Sequence, residues 1–254
     1  MTKIHEHSVK RYHCYCFHLV VDVVFMIKSG TGDIIMIYTA LGDSITFGEN
    51  ASSLAQSYPR LIVSALHSKS CRAQGFVLAQ PGWNSYNLLD ALIWRGAPVI
   101  SHSSVVSVWI GGVDLANTAL AALRSKTAPE VKHMIANYER NLSSIFTQIQ
   151  AGSCARIVCC TQYNPFPKSP LAVDAVSKLN LLISEISNHF NVTVAPAHKW
   201  FERKQAELIY GFQHGKIEDA LGGFLPIHPN NRGHQVIAAK LAPYLFPNNP
   251  PLFT

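Results

Sequence analysis

The feature that most restricts the fold is a short apolar segment that runs directly into a polar, glycine-containing turn. Residues 36–41 have the pattern of a buried strand, and Gly42, Asp43, Ser44 and Gly48 supply the turn that follows it. Ligands of open α/β sheets bind beyond the carboxyl ends of strands, so Ser44 is predicted to lie at the mouth of a site. The alternative is that Ser44 only caps an ordinary strand–helix turn.

Strands and helices alternate along the rest of the chain. Four further strands are predicted near residues 76–80, 104–110, 155–162 and 192–195. Apolar residues at helical spacing occupy the intervening segments, including a helix over 85–94 and a long amphipathic helix over 131–149. We therefore predict an α/β fold of three α/β/α layers around a doubly wound, mainly five-stranded parallel sheet.

A histidine near the C-terminus changes the interpretation of Ser44. His228 lies in a proline-containing loop just before an apolar helical segment, residues 236–245. A serine attacks an acyl carbon only when a neighbouring base removes its proton, and the pKa of histidine allows this near neutrality. The two positions together predict a serine nucleophile with a histidine base.

These two motifs resemble those of the SGNH hydrolases, also called the GDSL esterase/lipase family. Residues 42–48 match the first block of the family, which contains Gly-Asp-Ser, and residues 228–234 match the last, which contains the catalytic His-Pro-Asn. The resemblance spans residues 36 to about 245 and implies the flavodoxin-like SGNH fold. It further implies cleavage of carboxylic esters with short acyl or acetyl groups, without a metal or an organic cofactor.

The same resemblance assigns residue roles. It implies that Ser44 and His228 are catalytic and that the backbone N–H groups of Ser44 and Gly82 form the oxyanion hole. Independently of the resemblance, four residues after predicted strand ends are candidates to line the substrate: Trp83, Asp114, Tyr163 and Phe166. For the three aromatic residues the alternative is packing in the core or at its rim. Asp114 has a second interpretation, as a structural residue that holds the loop after the third strand.

Two positions depart from the family pattern. Val113 stands where the family has an asparagine whose side chain donates to the oxyanion, and Leu225 stands where it has the acid, three residues before the histidine. His228 is then oriented by a backbone carbonyl, which we favour, or by Asp219 or Glu218. Because of these departures, a non-catalytic ester- or glycan-binding protein stays an alternative, as does a carbohydrate O-acetyl esterase or acyltransferase.

The resemblance implies a small-molecule ester as the substrate, and composition gives no sign of a nucleic-acid partner. The net charge of +6 is dispersed, without the basic stripe and interleaved aromatics expected of a nucleic-acid partner. The six cysteines have no spacing typical of a secreted disulfide scaffold, which favours a reducing compartment, the cytoplasm. Oligomeric state is not predicted.

Residues 1–35 differ from the rest of the chain. Their apolar run is interrupted by Asp22 and is too short for stable membrane insertion or a signal peptide, and their His and Cys residues fit no standard zinc-finger spacing. We expect an N-terminal extension over 1–35, either non-native or disordered, and a hydrolase domain over 36–254. Secretion stays open if the extension is native.

Overall fold

A computed structural model of the chain describes residues 36–69, 72–125, 131–221 and 224–253. The predicted extension, residues 1–35, lies outside the described residues. The first strand of the sheet begins at Met36.

Five parallel strands form one sheet in the order β2-β1-β3-β4-β5. The strand bounds are β1 Met36–Gly42, β2 Ala73–Ala79, β3 Val105–Trp109, β4 Arg156–Cys160 and β5 Thr193–Ala195. The order reverses at β1, whose two neighbours are the next strand and the one after it. Such a switch point opens a crevice at the carboxyl ends of the strands, and β1 delivers Ser44 to it.

Helices cover both faces of the sheet, which confirms the predicted three-layer α/β fold. The bounds are α1 Ser44–Phe47, α2 Tyr58–Ser68, α3 Ser85–Ala91, α4 Ala97–Ile100, α5 Gly112–Ser125, α6 Val131–Gly152, α7 Pro170–His189, α8 Ala197–Phe201, α9 Gln205–Leu208 and α10 Asn231–Leu245. Short 3₁₀ turns occupy Leu54–Gln56 and Ile217–Leu221. Among the described residues, no helix combines the length and apolarity needed to cross a membrane.

Two apolar clusters, one on each face, hold the layers together. One joins the sheet to α2 and α10 through residues such as Ile62 and Leu241, and the other joins it to α3, α6 and α7 through residues such as Leu142 and Ile183. Every residue of β3 is buried. A central parallel strand covered on both faces explains why its sequence is continuously apolar rather than alternating.

One predicted helix changes its hydrogen-bonding pattern along its length and continues past its predicted end. The segment expected to be helical over 85–94 is α-helical only to Ala91, and a π-helical turn over Leu92–Gly96 leads into α4. Pro98 lies in the first turn of α4. Because proline has no N–H to donate to the preceding turn, the regular α-helical bonding cannot run through this point.

Candidate active site

Ser44 is held at the start of α1 by the turn that leaves β1. The Asp43 side chain caps α1 by accepting the Ile45 N–H at 3.0 Å. A Cβ on Gly42 would lie 2.5 Å from the backbone oxygen of Trp109 in β3, so only glycine lets the neighbouring strand approach this closely. Gly48, at φ +103°, ends the helix in a left-handed conformation. The turn therefore fixes a largely buried Ser44 beside the carboxyl end of β3.

Hydrogen bonds fix the loop that carries His228. The Tyr210 N–H donates to the His228 carbonyl at 2.9 Å, and the Tyr163 hydroxyl donates to the carbonyl of the preceding residue, Ile227. The Asn230 side chain caps α10 by accepting the Gly233 N–H at 2.9 Å. The backbone is therefore fixed immediately before His228, at His228 itself and two residues after it.

The two loops bring Ser44 and His228 into contact although they are 184 positions apart. His228 Nε2 lies 2.9 Å from Ser44 Oγ. The other ring nitrogen, Nδ1, lies 3.4 Å from Nδ2 of Asn50, which follows α1 by three residues. A serine hydroxyl within hydrogen-bonding distance of an imidazole is the arrangement in which the ring can accept the hydroxyl proton.

Burial controls the ionisation of the groups around this pair. Removal from water lowers the pKa of His228 to about 4, because the low-dielectric surroundings disfavour the imidazolium. Burial also raises the pKa of Asp43 to about 7, and the nearby charge of Asp114 adds to that rise. At neutral pH, His228 is therefore uncharged and able to accept a proton.

A cavity of about 470 Å³ opens beside the serine–histidine pair. Ser44, Gly82 and His228 contribute to its wall. Apolar side chains from α5, α6, α7 and the neighbouring loops line much of the remainder: Val113, Leu115, Met134, Phe166, Leu171 and Val176. The volume is within the range of small-molecule pockets.

The structure separates the four residues that were predicted to line a substrate. Tyr163 and Phe166 line the cavity. Trp83 instead packs against the apolar cluster under α3, and Asp114 turns away to accept hydrogen bonds from the N–H and hydroxyl of Ser85. These bonds tie α5 to α3. The second interpretation of Asp114, as a structural residue that holds the loop after the third strand, stays a prediction.

Two residues considered for the oxyanion hole, Gly82 and Val113 at the usual asparagine position, both line the cavity. Gly82 has φ +82°, a conformation that suits glycine. The Asp219 carboxylate is instead occupied by the His214 ring and by the N–H groups of residues 214–216. Glu218 is exposed to solvent.

The group at His228 Nδ1 is one that sequence reasoning missed. We expected a backbone carbonyl or one of those two acids, and the structure places the Asn50 amide there. No family motif marks this position. The available signal was weak: Asn50 is a polar residue six positions after Ser44, in the loop that leaves the same turn.

Comparison with known families decides the assignment. The family of GDSL-like lipases and acylhydrolases matches residues 40–236, which include both the serine turn and the histidine loop. The chain belongs to the GDSL-like lipase/acylhydrolase family. Its reaction class is therefore the hydrolysis of carboxylic esters.

Solved structures that are similar to this family member share its fold at low sequence identity. A lipase from a goat rumen metagenome is 21% identical with a TM-score of 0.67, over 82% of this chain and 97% of its own. An acetylxylan esterase from Geobacillus stearothermophilus is 17% identical with a TM-score of 0.62, over 86% and 96%. A lipase/acylhydrolase from Enterococcus faecalis is 16% identical with a TM-score of 0.62, over 85% and 98%. Comparison with curated proteins gives no significant match.

Proposed function

We propose that the protein hydrolyses esters through an acyl-enzyme formed on Ser44. Ser44 Oγ attacks the ester carbonyl, and His228 accepts its proton and returns it to the leaving alcohol. Water, activated by the same imidazole, then releases the acid and restores the serine. The observation that carries the proposal is the 2.9 Å contact between Ser44 Oγ and His228 Nε2 on the wall of a cavity.

The proposed oxyanion hole consists of the backbone N–H groups of Ser44 and Gly82. Both residues line the same cavity. Val113 lies on the same wall but offers no donor, so we propose a hole with two donors rather than three.

The cavity also bears on the acyl group. A volume of about 470 Å³ is far more than an acetyl group occupies, and its apolar lining stabilises alkyl chains by removing them from water. We therefore extend the proposed substrates beyond acetyl and short-chain esters to esters with medium acyl chains. The fold likeness to an acetylxylan esterase keeps acetylated carbohydrates among the candidates.

Hydrolysis of two p-nitrophenyl esters, the acetate and the decanoate, tests the proposal. Ser44→Ala should abolish hydrolysis of both, whereas Ser53→Ala, an exposed serine nearby whose side chain forms no cap hydrogen bond, should leave both unchanged. Full activity in Ser44→Ala would refute the mechanism. No hydrolysis by the wild-type protein of either ester or of acetylated xylan would favour the non-catalytic binding alternative.

Acyl length is tested by narrowing the cavity. Ala175 lines it from α7, so Ala175→Phe should lower kcat/KM for the decanoate and leave the acetate nearly unchanged. Leu181→Phe, at an exposed position of the same helix, is the control. Equal losses on both esters in Ala175→Phe would show that the cavity does not hold the acyl chain.

We also propose that residues 36–254 form the hydrolase domain and that the protein acts in the cytoplasm on small molecules, with neither nucleic acid nor stable membrane insertion involved. The buried, unpaired thiols of Cys159 and Cys160 in β4 support a reducing compartment. Protein lacking residues 1–35 should keep its esterase activity. Cell fractionation followed by the esterase assay tests the compartment.

A further inference from the structure

The inference concerns the group behind His228, and it rests on the proposed function. A serine–histidine pair works only if the imidazole carries its proton on Nδ1, leaving the Nε2 lone pair free to accept the serine proton. An acceptor beside Nδ1 selects that form. In the described part of the chain, the side chain that contacts Nδ1 is Asn50, at 3.4 Å.

Among the residues that the structure describes, no carboxylate is bonded to His228 Nδ1. Leu225 stands three residues before His228, the Asp219 carboxylate is bonded to the segment 214–216, and Glu218 is exposed. The other titratable groups around the pair are Asp43, Glu49 and Tyr163, which line the same cavity, and His234, which interacts electrostatically with His228. In agreement, the lowered pKa of His228 has burial as its cause, with no opposing contribution from an acid.

The loop that carries Asn50 is tied to the helix that follows His228. The Ser52 N–H donates to Asn231 Oδ1 at 2.8 Å, and Asn231 Nδ2 donates to Ser52 Oγ at 2.8 Å. Asn231 is the first residue of α10, three positions after His228. These two bonds hold the loop of Asn50 against the loop of His228. The backbone of Asn50 is left-handed, at φ +61°, a conformation that asparagine and aspartate tolerate better than most residues.

We propose that Asn50 is the positioning residue of His228 and takes the place of the missing carboxylate. When its side-chain oxygen is turned toward the ring, it accepts the Nδ1 proton, and the imidazole is then in the form that can act as a base toward Ser44.

The two orientations of the Asn50 amide place the imidazole proton of His228 on different ring nitrogens. With Nδ2 toward the ring, as the structure has it, Nδ1 must accept and the ring proton lies on Nε2, where it blocks proton transfer from Ser44. A half-turn of the amide brings Oδ1 to the same place at almost no change in shape, and the proton then lies on Nδ1. A neutral amide can therefore orient the ring but, unlike a carboxylate, it does not select one tautomer by charge or stabilise the imidazolium. We therefore expect hydrolysis to be slower with an amide at this position than with a carboxylate.

Asn50→Asp and Asn50→Gly separate the possibilities. Aspartate has the shape of asparagine and tolerates the same backbone, and glycine keeps the left-handed conformation while removing the side chain. Asn191, also left-handed at φ +54° but exposed before β5, supplies the matched controls Asn191→Asp and Asn191→Gly. The measurements are kcat and KM on p-nitrophenyl acetate from pH 4 to 8, with circular dichroism to compare folding.

We expect Asn50→Asp to raise kcat at least about tenfold with KM nearly unchanged, and to move the acid limb of the rate profile to higher pH. Asn50→Gly should lower kcat at least about tenfold, and both Asn191 variants should behave as wild type. The proposal is overturned if Asn50→Asp leaves the acid limb in place, or if Asn50→Gly keeps the wild-type kcat. Ser44→Ala and His228→Ala, assayed in parallel, distinguish this failure from failure of the mechanism: only the latter predicts that these two variants stay active.

Discussion

Asp114 accepts two hydrogen bonds from Ser85, one from its backbone N–H at 3.0 Å and one from its hydroxyl at 2.6 Å. Asn141 Nδ2 in α6 donates to the same Ser85 hydroxyl at 3.0 Å. These three residues connect the N-terminal turns of α3 and α5 to α6 in a partly buried network. Val113, which lines the cavity, is the neighbour of Asp114 in the first turn of α5, so the network ties the turn that carries it to α3 and α6.

Removing the Ser85 hydroxyl should therefore destabilise the protein. Ser85→Ala leaves Asp114 and Asn141 each short of one partner, which costs about 1–3 kcal/mol of unfolding free energy. Ser187→Ala is the matched control, since Ser187 is equally buried but its hydroxyl has no hydrogen-bond partner among the described residues. Urea unfolding measures both. Equal costs for the two variants would show that the network adds nothing to stability.

Val113 is predicted to limit the rate of the proposed reaction. One oxyanion donor contributes about 2.7–4 kcal/mol to transition-state stabilisation, roughly a hundred- to a thousandfold in rate. Val113→Asn should therefore raise kcat with little change in KM, because the new contact forms chiefly in the transition state. Val113→Leu, similar in shape to asparagine but without a donor, is the control. A kcat in Val113→Asn at or below that of Val113→Leu would indicate that another group already supplies the third donor.

The activity should persist well below neutral pH. The free enzyme needs neutral His228, and burial lowers the pKa of this residue to about 4, so kcat/KM should stay level from pH 7 down to about pH 5 and fall tenfold per unit below about pH 4. Asp43 and Glu49 on the cavity wall and the nearby His234 are the other groups that could modify this profile. A midpoint near the ordinary histidine value of about 6.5 would contradict the prediction.

Asp43 should make the protein less stable as the pH rises. Burial raises its pKa from 3.8 to about 7 in the folded state. Its contribution to the free energy of unfolding is therefore fully present below pH 3.8 and is lost as the pH rises through 7. In Asp43→Asn, the new amide keeps an oxygen for the Ile45 N–H and never ionises. The unfolding free energy of Asp43→Asn relative to wild type should therefore increase by up to about 4 kcal/mol between pH 4 and 7. A difference that does not change with pH would refute this.

His228 and His234 change the stability in the opposite direction, so the effect of Asp43 must be measured as a difference between the variant and wild type. Burial lowers the pKa of both His228 and His234 to about 4. Their neutral forms fit the folded state, so below about pH 6.5 the unfolded chain takes up protons that the folded protein does not. Their effect reduces stability toward acid and cancels in the difference between Asp43→Asn and wild type.

The fold was predictable because its strongest signals are local. The apolar sequence of β3 and the glycine-containing turn after β1 are each recognisable from a few neighbouring residues. The alternation of strands and helices along the chain then predicts a parallel sheet. The pairing of Ser44 with His228 was predictable for a different reason, because each lies in its own recognisable motif. The sheet topology then brings their loops together.

Other features depend on three-dimensional contacts that neighbouring residues do not encode. The contact of Asn50 with His228 requires a left-handed backbone at one residue and a bond between Ser52 and Asn231. Asp219 is near His228 in sequence, but its carboxylate accepts hydrogen bonds from the backbone of residues 214–216 instead. The helix predicted over 85–94 is π-helical after Ala91, because Pro98 removes a backbone donor from the hydrogen bonds of the preceding turn.

The most direct test of the central claim is to label the proposed nucleophile. A fluorophosphonate reacts with a serine activated by a neighbouring base, and the covalent product can be mapped by mass spectrometry of the digested protein. We predict one adduct per chain, on Ser44, lost in Ser44→Ala and strongly slowed in His228→Ala, since His228 Nε2 lies 2.9 Å from the Ser44 hydroxyl. An adduct on another residue, or none on a protein that still hydrolyses p-nitrophenyl acetate, would contradict the account.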